Sequence, residues 1–190
     1  MELIDVINKR KSIRRFQDEE VPRELLEELL SLARKCPSAG AIRGFQGFIT
    51  YEKLVYDAPI YVVICVDPTK YESRYGIRGR DLYAIQDATI FGAYFQLLLV
   101  DKGLASVWVG AFRESKIQRI LGTNLRPVAI LAIGLPYVLK EENPMPKVMV
   151  KKMKKVARKV KRPGSQKVLV KKMKLKWHLR PVADESTENV

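Results

Sequence analysis

Ile60-Tyr61-Val62-Val63-Ile64-Cys65-Val66 is a continuous apolar run, mostly β-branched, bounded by Pro59 and by Asp67-Pro68. Such a run reads as a strand buried on both faces, because a strand with one wet face would alternate apolar and polar residues. A strand of that kind requires covering layers on both sides. Outward from it, Leu104 to Val109 and Val128 to Ile133 read as two more buried strands, the last ending at Gly134 and Pro136. Between the first and second strands, residues 81–100 are long and apolar, with Ile85, Ala88, Phe95 and Leu99 on one side, and read as a buried helix. Residues 114–121 read as a short helix closed by Gly122.

Toward the N-terminus, Leu3, Ile4 and Ile7 share a face at helical spacing, which predicts a helix over 2–10. Pro22 marks a second helix start, with Leu25, Leu26, Leu29, Leu30 and Ala33 as its apolar stripe. That helix must stop before Pro37, because the residue preceding proline resists helical geometry. Pro37 to Gly47 then reads as a glycine-rich loop. Helices and strands alternate without regular βαβ units, so the expected class is α+β, a sheet covered by helices.

Composition narrows the function. The chain has 190 residues, 47% apolar and 29% charged, in the range of folded globular proteins. No apolar run reaches the roughly 18 residues of a membrane span. The start, MELIDVINKRKS, lacks a signal peptide's apolar region. The two cysteines, Cys36 and Cys65, allow neither a disulfide scaffold nor a four-cysteine zinc site and read as packed thiols. The single histidine, His178, excludes multi-histidine metal sites. A cytoplasmic, reducing setting is expected.

Charge is uneven. The net +14 resides in residues 140–180, which alone carry +14, whereas residues 1–139 carry +3 and residues 181–190 carry −3. The organisation expected is therefore a body over 1–139, a Lys-rich segment over 140–180 and an acidic tail over 181–190. The Lys-rich segment holds a near-duplicate, KVMVKKMK at Lys147–Lys154 and KVLVKKMK at Lys167–Lys174. Two copies fall short of a solenoid. Such a cationic stretch suits nucleic acid or an anionic membrane surface, or else a Lys-rich cover over an apolar face, which is the favoured reading.

Nucleotide and metal fingerprints of the GxGxxG, GxxxxGK[ST] and HExxH kinds are absent, which argues against Rossmann dehydrogenases, P-loop enzymes and zincins. Three segments stand out instead. Arg10-Lys11-Ser12-Ile13-Arg14-Arg15-Phe16 groups four cations and a hydroxyl, a set suited to a phosphate dianion. Cys36-Pro37-Ser38-Ala39-Gly40 offers small residues that permit close approach to a flat ligand. Trp108-Val109-Gly110-Ala111-Phe112 sits at a strand end, a common place for ligands in open sheets.

In order and spacing, RKSIRRF, CPSAG, QDATIFGAYFQLLLVDKGLASVWVGAF and RPVAILAIGLP resemble the FMN-dependent nitroreductase family over about residues 4–137. Ser73 to Ala88, SRYGIRGRDLYAIQDA, resembles its archaeal-type branch. The resemblance implies a mixed β-sheet flanked by helices and an intertwined homodimer with FMN at the subunit interface. It implies that Arg10, Ser12 and Arg14, with Lys11 adjacent, hold the FMN phosphate and ribityl side. Pro37, Ser38, Ala39 and Gly40 would lie against the isoalloxazine from the other subunit, and Val109, Gly110 and Ala111 near its opposite side. The long helix 81–100 would be central to the dimer. NAD(P)H would supply hydride, and a nitroaromatic, quinone or similar acceptor would receive it, with no side chain required as acid or base.

The chain departs from the family loop, which reads roughly PSAGNxQPW. Ala41, Arg43, Gly44 and Phe45 stand where Asn, Gln, Pro and Trp are usual. Arg43 would replace an amide with positive charge near the flavin's pyrimidine edge. Only Ile49 to Asp57 bridge Phe48 and Ala58-Pro59, where relatives carry a helix. Lys161-Arg162-Pro163 resembles the family's late phosphate ligand, which makes Arg162 a candidate. Arg74, Arg78 and Arg80 have two readings, lining the cleft or pairing across the dimer.

Overall fold

The run at 60–66 is the second strand of a four-stranded sheet. In this computed structural model, which describes residues 1–137, the strands are β1 (Phe45–Thr50), β2 (Ile60–Val66), β3 (Ala105–Val109) and β4 (Arg126–Gly134). Their order across the sheet is β1-β2-β4-β3, so β1 and β3 are the two edges. Every ladder is antiparallel, with a register shift between Ile64 and Cys65. Among the described residues, the parallel element expected of a mixed sheet is confined to one isolated bridge, Ser12 to Ser106. Among the described residues, five α-helices surround the sheet: α1 (Leu3–Lys9), α2 (Arg23–Ala33), α3 (Pro68–Arg78), α4 (Ala84–Asp101) and α5 (Glu114–Leu121).

β2 is buried at all seven positions because both faces are covered. On one face, Val62 and Ile64 pack with Leu26 and Leu29 of α2 and with Phe91 and Phe95 of α4. On the other, Tyr61, Val63 and Cys65 pack with Ile117 of α5 and with Leu54 and Ala58 from the β1–β2 connection. The alternation is the two-residue period of a strand. Fully burying each large aliphatic side chain contributes about 1.5–3 kcal/mol before entropy is charged against it.

Several elements differ from the sequence reading, each for a local reason. Leu3, Ile4 and Ile7 do share a face of α1, but that face is exposed, and Val6 is the residue α1 buries. The stretch read as one helix over 81–100 is a π turn at Gly79–Tyr83 followed by α4, and α3 precedes it. α3 escapes a pattern search because it is polar, yet its start carries the usual signals. Pro68 occupies the first turn, and the Asp67 side chain accepts the Thr69 N–H at 3.1 Å. β1 begins inside the glycine-rich segment. Gly47 lies where Leu30 presses on the strand, and a Cβ there would meet Leu30 Cδ2 at 2.6 Å. Helix α5 ends as expected, with Gly122 in the left-handed region at φ 61°.

α4 places the site. Its core side carries Ala88, Phe91, Gly92, Phe95 and Leu99. Phe91 stacks on Phe45 at the head of β1, with centroids 4.6 Å apart. Gly92 lies under the Trp108 ring of β3, where a Cβ would come within 2.6 Å of Cζ3. The helix thus ties both sheet edges together.

Candidate functional site

Between α2 and β1 the chain makes a tight, irregular loop. Ser38 is extended, Ala39–Ala41 form one 3-10 turn, and Gly40, Ala41 and Arg43 all have positive φ, at 54°, 58° and 49°. Left-handed geometry costs a non-glycine residue roughly 1 kcal/mol or more, so surrounding bonds must hold Ala41 and Arg43 in place.

Those bonds converge on a buried polar cluster. Asp87, on α4, is 4% exposed amid apolar neighbours. Its two carboxylate oxygens accept the Ala39 N–H at 2.9 and 3.2 Å. It also accepts the Tyr71 hydroxyl. Tyr71 Oη in turn accepts the Gly44 N–H at 3.1 Å and a hydrogen bond from Ser38. Ser38 Oγ accepts the Arg43 N–H at 2.9 Å. From outside, Arg74 Nη1 donates to the Gly40 carbonyl at 2.8 Å, and Arg34 Nη1 donates to the Phe45 carbonyl at 2.8 Å. A Cβ on Gly40 would fall 2.5 Å from both Arg74 Nη1 and Tyr75 Oη, so a side chain there would displace the ends of both.

Burial, then the bond to and charge of Asp87, push the Tyr71 phenol up. Burial first, then Asp87, raises the Cys36 thiol at the loop's entry. Burial alone pushes the Cys65 thiol in β2 up to about 12.

The other candidate residues sit elsewhere. Arg10, Lys11, Ser12 and Arg14 follow α1 and are exposed. Their segment meets β3 at one point, where Ile13 N donates to Ser106 O at 3.1 Å, and then pairs with residues 135–137. Arg14 lies 5.7 Å above the Tyr56 ring, and no described carboxylate pairs with Arg10, Lys11 or Arg14. Val109 ends β3, and Gly110 and Ala111 are exposed just beyond it. Gly110 borders a cavity of about 170 Å³ with Ile85, Phe112 and Arg126. So Ser12 and Gly110 belong to the β3 edge, whereas Pro37, Ser38, Ala39, Gly40 and Arg43 precede the opposite edge, β1. Among the described residues, no hydrogen bond or ion pair joins the two sets within one chain. Arg162, the duplicated segment and the acidic tail lie outside the described residues.

Sequence reasoning missed Asp87 and Tyr71. A signal existed for Asp87, the only charged residue from Leu82 to Val100. A lone acid in an apolar helix needs buried donors. Tyr71 gave no such signal, since its polar helix reads as surface.

The chain belongs to the nitroreductase family, whose model matches residues 7–54 and 49–135. That is a family of oxidoreductases linked to NAD(P)H. A Methanothermobacter thermautotrophicus protein, by name a candidate NADH dehydrogenase/NAD(P)H nitroreductase, is 29% identical over 76% of this chain and 80% of its own length. An Archaeoglobus fulgidus protein of the same name is 23% identical over 71% of this chain and 86% of its own. Both are archaeal, in line with the branch suggested by Ser73–Ala88. Among solved structures, a nitroreductase family protein from Clostridium difficile 630 has a TM-score of 0.65 at 28% identity, covering 78% of this chain and 96% of its own. An FMN-dependent nitroreductase from Clostridium difficile R20291 has a TM-score of 0.60 at 24% identity, covering 78% of this chain and 96% of its own. Among the described residues, no helix is long and apolar enough to cross a membrane.

Proposed function

We propose that this chain is an FMN-dependent NAD(P)H oxidoreductase that reduces a nitroaromatic, quinone or similar small acceptor, and that it works as a homodimer. The observation that carries this reading is the division of the candidate residues. The cationic RKSIRRF segment meets the β3 edge at Ser12 and Ile13 before passing to the end of β4, and the clamped loop leads into β1. The edges lie three strand spacings apart, roughly 14 Å. Two copies, each offering one half to the other, complete two sites.

The residues fit the cofactor. Arg10 and Lys11 are exposed cations with no acidic partner among the described residues, and the Ser12 hydroxyl adds a neutral donor. Guanidinium and hydroxyl donors match the oxygens of a phosphate dianion. In the loop, Ala39, Gly40 and Ala41 present small side chains, so a planar ring can approach the backbone. α4 supports the dimer: its outer side carries the half-buried Leu97 and Tyr94, which is 45% exposed. A helix apolar on both sides is one covered on both sides.

FMN, when bound, supplies two-electron hydride chemistry between the nicotinamide and the acceptor. Arg10, Lys11, Ser12 and Arg14 would hold the phosphate and ribityl side. Pro37 to Gly40 of the second copy would hold the ring system, with Arg43 adding positive charge, and Val109, Gly110 and Ala111 would hold it with backbone. No side chain of this set is assigned as acid or base, and donor and acceptor use one cleft in turn.

The test is the absorbance spectrum of the purified full chain, before and after FMN is added and free flavin removed by gel filtration. Retained flavin bands, bleached anaerobically by NADH or NADPH and restored by a nitroaromatic or quinone, are the expected result. A chain that stays colourless after reconstitution overturns the reading.

A further inference from the structure

Two guanidinium groups beside the clamped loop are held ready without a carboxylate partner among the described residues. Arg74 bonds the Gly40 carbonyl at 2.8 Å and lies 5.4 Å over the Tyr75 ring. Tyr75 meets Tyr83 edge-to-face, with centroids 5.3 Å apart. Arg78 lies 5.6 Å over the Tyr83 ring and donates Nε to the Tyr83 hydroxyl at 3.1 Å. Gly40, Arg74, Tyr75, Tyr83 and Arg78 thus form one continuous chain of contacts. Both arginines are exposed and both rings are half-buried.

The neighbouring acids are already committed. Glu72 and Asp81 both pair with Arg80, at 3.2 and 2.8 Å. Asp67 caps α3 and lies 4.0 Å from Lys70, and Asp87 is buried under the loop. Arg43, on the loop itself, is a third exposed guanidinium with no described acidic partner. The rim of the loop is therefore net positive, with two of its arginines backed by aromatic rings. A guanidinium resting on a ring has lost much of its freedom beforehand, so it binds an anion with little further ordering cost.

We infer that Arg74 and Arg78, with Tyr75 and Tyr83, form an acceptor subsite that selects planar aromatic molecules bearing a carboxylate or similar anionic group. The guanidinium planes, backed by the two rings, meet the acceptor's plane, and their free N–H groups meet its charge. This rests on the functional reading above, because it places the subsite beside the loop that faces the flavin.

The test is calorimetric titration of the full chain with para-nitrobenzoate and with its neutral methyl ester, done both FMN-loaded and flavin-free. The FMN-loaded chain is expected to bind the acid about tenfold more tightly than the ester. Added salt should shrink that ratio. R78Q and the double variant R74Q/R78Q should bring the ratio toward one, and R78K should retain most of it. Should the double variant fail to fold, R78Q alone carries the comparison, because Arg78 makes no bond to the loop. Equal affinity for acid and ester in the natural chain, or a ratio that R78Q leaves unchanged, overturns the inference. A chain that takes up no FMN overturns the functional reading instead, and the acid-to-ester ratio of the flavin-free chain then decides the subsite by itself.

Discussion

The buried carboxylate of Asp87 takes the backbone N–H of Ala39 on both of its oxygens, at 2.9 and 3.2 Å. A helix in the core thereby dictates the shape of a surface loop 48 residues away in sequence. D87A leaves the Ala39 N–H and the Tyr71 hydroxyl without their acceptor, at about 1–3 kcal/mol for each unmet buried group. A lower urea midpoint with unchanged slope is expected. D87N, which keeps the volume, should cost less stability yet speed amide exchange at residues 38–44. Unchanged exchange in D87N would show that the loop holds its own shape.

Arg10 and Arg14 address the proposed phosphate. R10Q and R14Q should each weaken FMN binding by about tenfold or more, because a bond to a charged group contributes about 1.5–3 kcal/mol. Fluorescence titration of FMN against each variant measures this, and melting temperatures should stay near that of the natural chain. R15Q serves as the neighbouring control.

The outer side of α4 is expected to meet a second copy. Introducing charge there, as Y94E with L97E, should convert a dimer to a monomer in light scattering after gel filtration. FMN retention should fall in the same variant, since each proposed site draws on both copies. A monomeric variant that keeps full flavin affinity would refute the shared site.

Gly92 allows Trp108 to lie on α4. The Cβ of G92A would stand 2.6 Å from Trp108 Cζ3 and 3.0 Å from Cη2, so the indole or the helix must shift. Overpacking of this kind costs about 1–3 kcal/mol. Thermal denaturation measures the loss, and Trp fluorescence should change with it.

Cys65 predicts a pH slope. Its folded thiol titrates at about 12 against an ordinary 9.0, so the folded chain keeps a proton that the unfolded chain gives up. The stabilisation is complete below about pH 9 and is lost as pH rises from 9 toward 12, at no more than about 1.4 kcal/mol per pH unit from this one group. Cys36 and Tyr71 shift in the same direction and add to the slope. C65A should flatten the fall of the urea midpoint between pH 8.5 and 10.5, roughly the onset of that window. An identical slope in C65A would remove Cys65 as its source.

What was legible in the sequence follows from how strongly each segment is patterned. Ile60–Val66 reads clearly as a strand covered on both faces, because it is short, apolar throughout, mostly β-branched and bounded by prolines. Gly122 likewise marks its helix end outright. α3 was illegible because its residues face water and each other, leaving no apolar stripe. Leu3, Ile4 and Ile7 show the opposite failure, a clean stripe that the described fold leaves uncovered. Of the candidate site, the loop and the cationic segment were visible as compositional oddities. Their separation onto opposite edges was not, since strand order is a tertiary fact. The Asp87–Tyr71 cluster was hidden for the same reason: its members are 16 residues apart and meet only through packing.

The division of the candidate residues between β3 and the approach to β1 has a genetic corollary. On the two-copy reading, a chain carrying R14Q and a chain carrying G40V are each defective in every site of their own homodimers. A mixed dimer sorts the lesions: both fall into one site, and the other joins two intact halves. Two inactive alleles expressed in one cell should therefore rescue each other in trans, and purified variants should regain activity after subunit exchange, whereas a single allele carrying both changes in cis should be rescued only by supplying an undamaged copy.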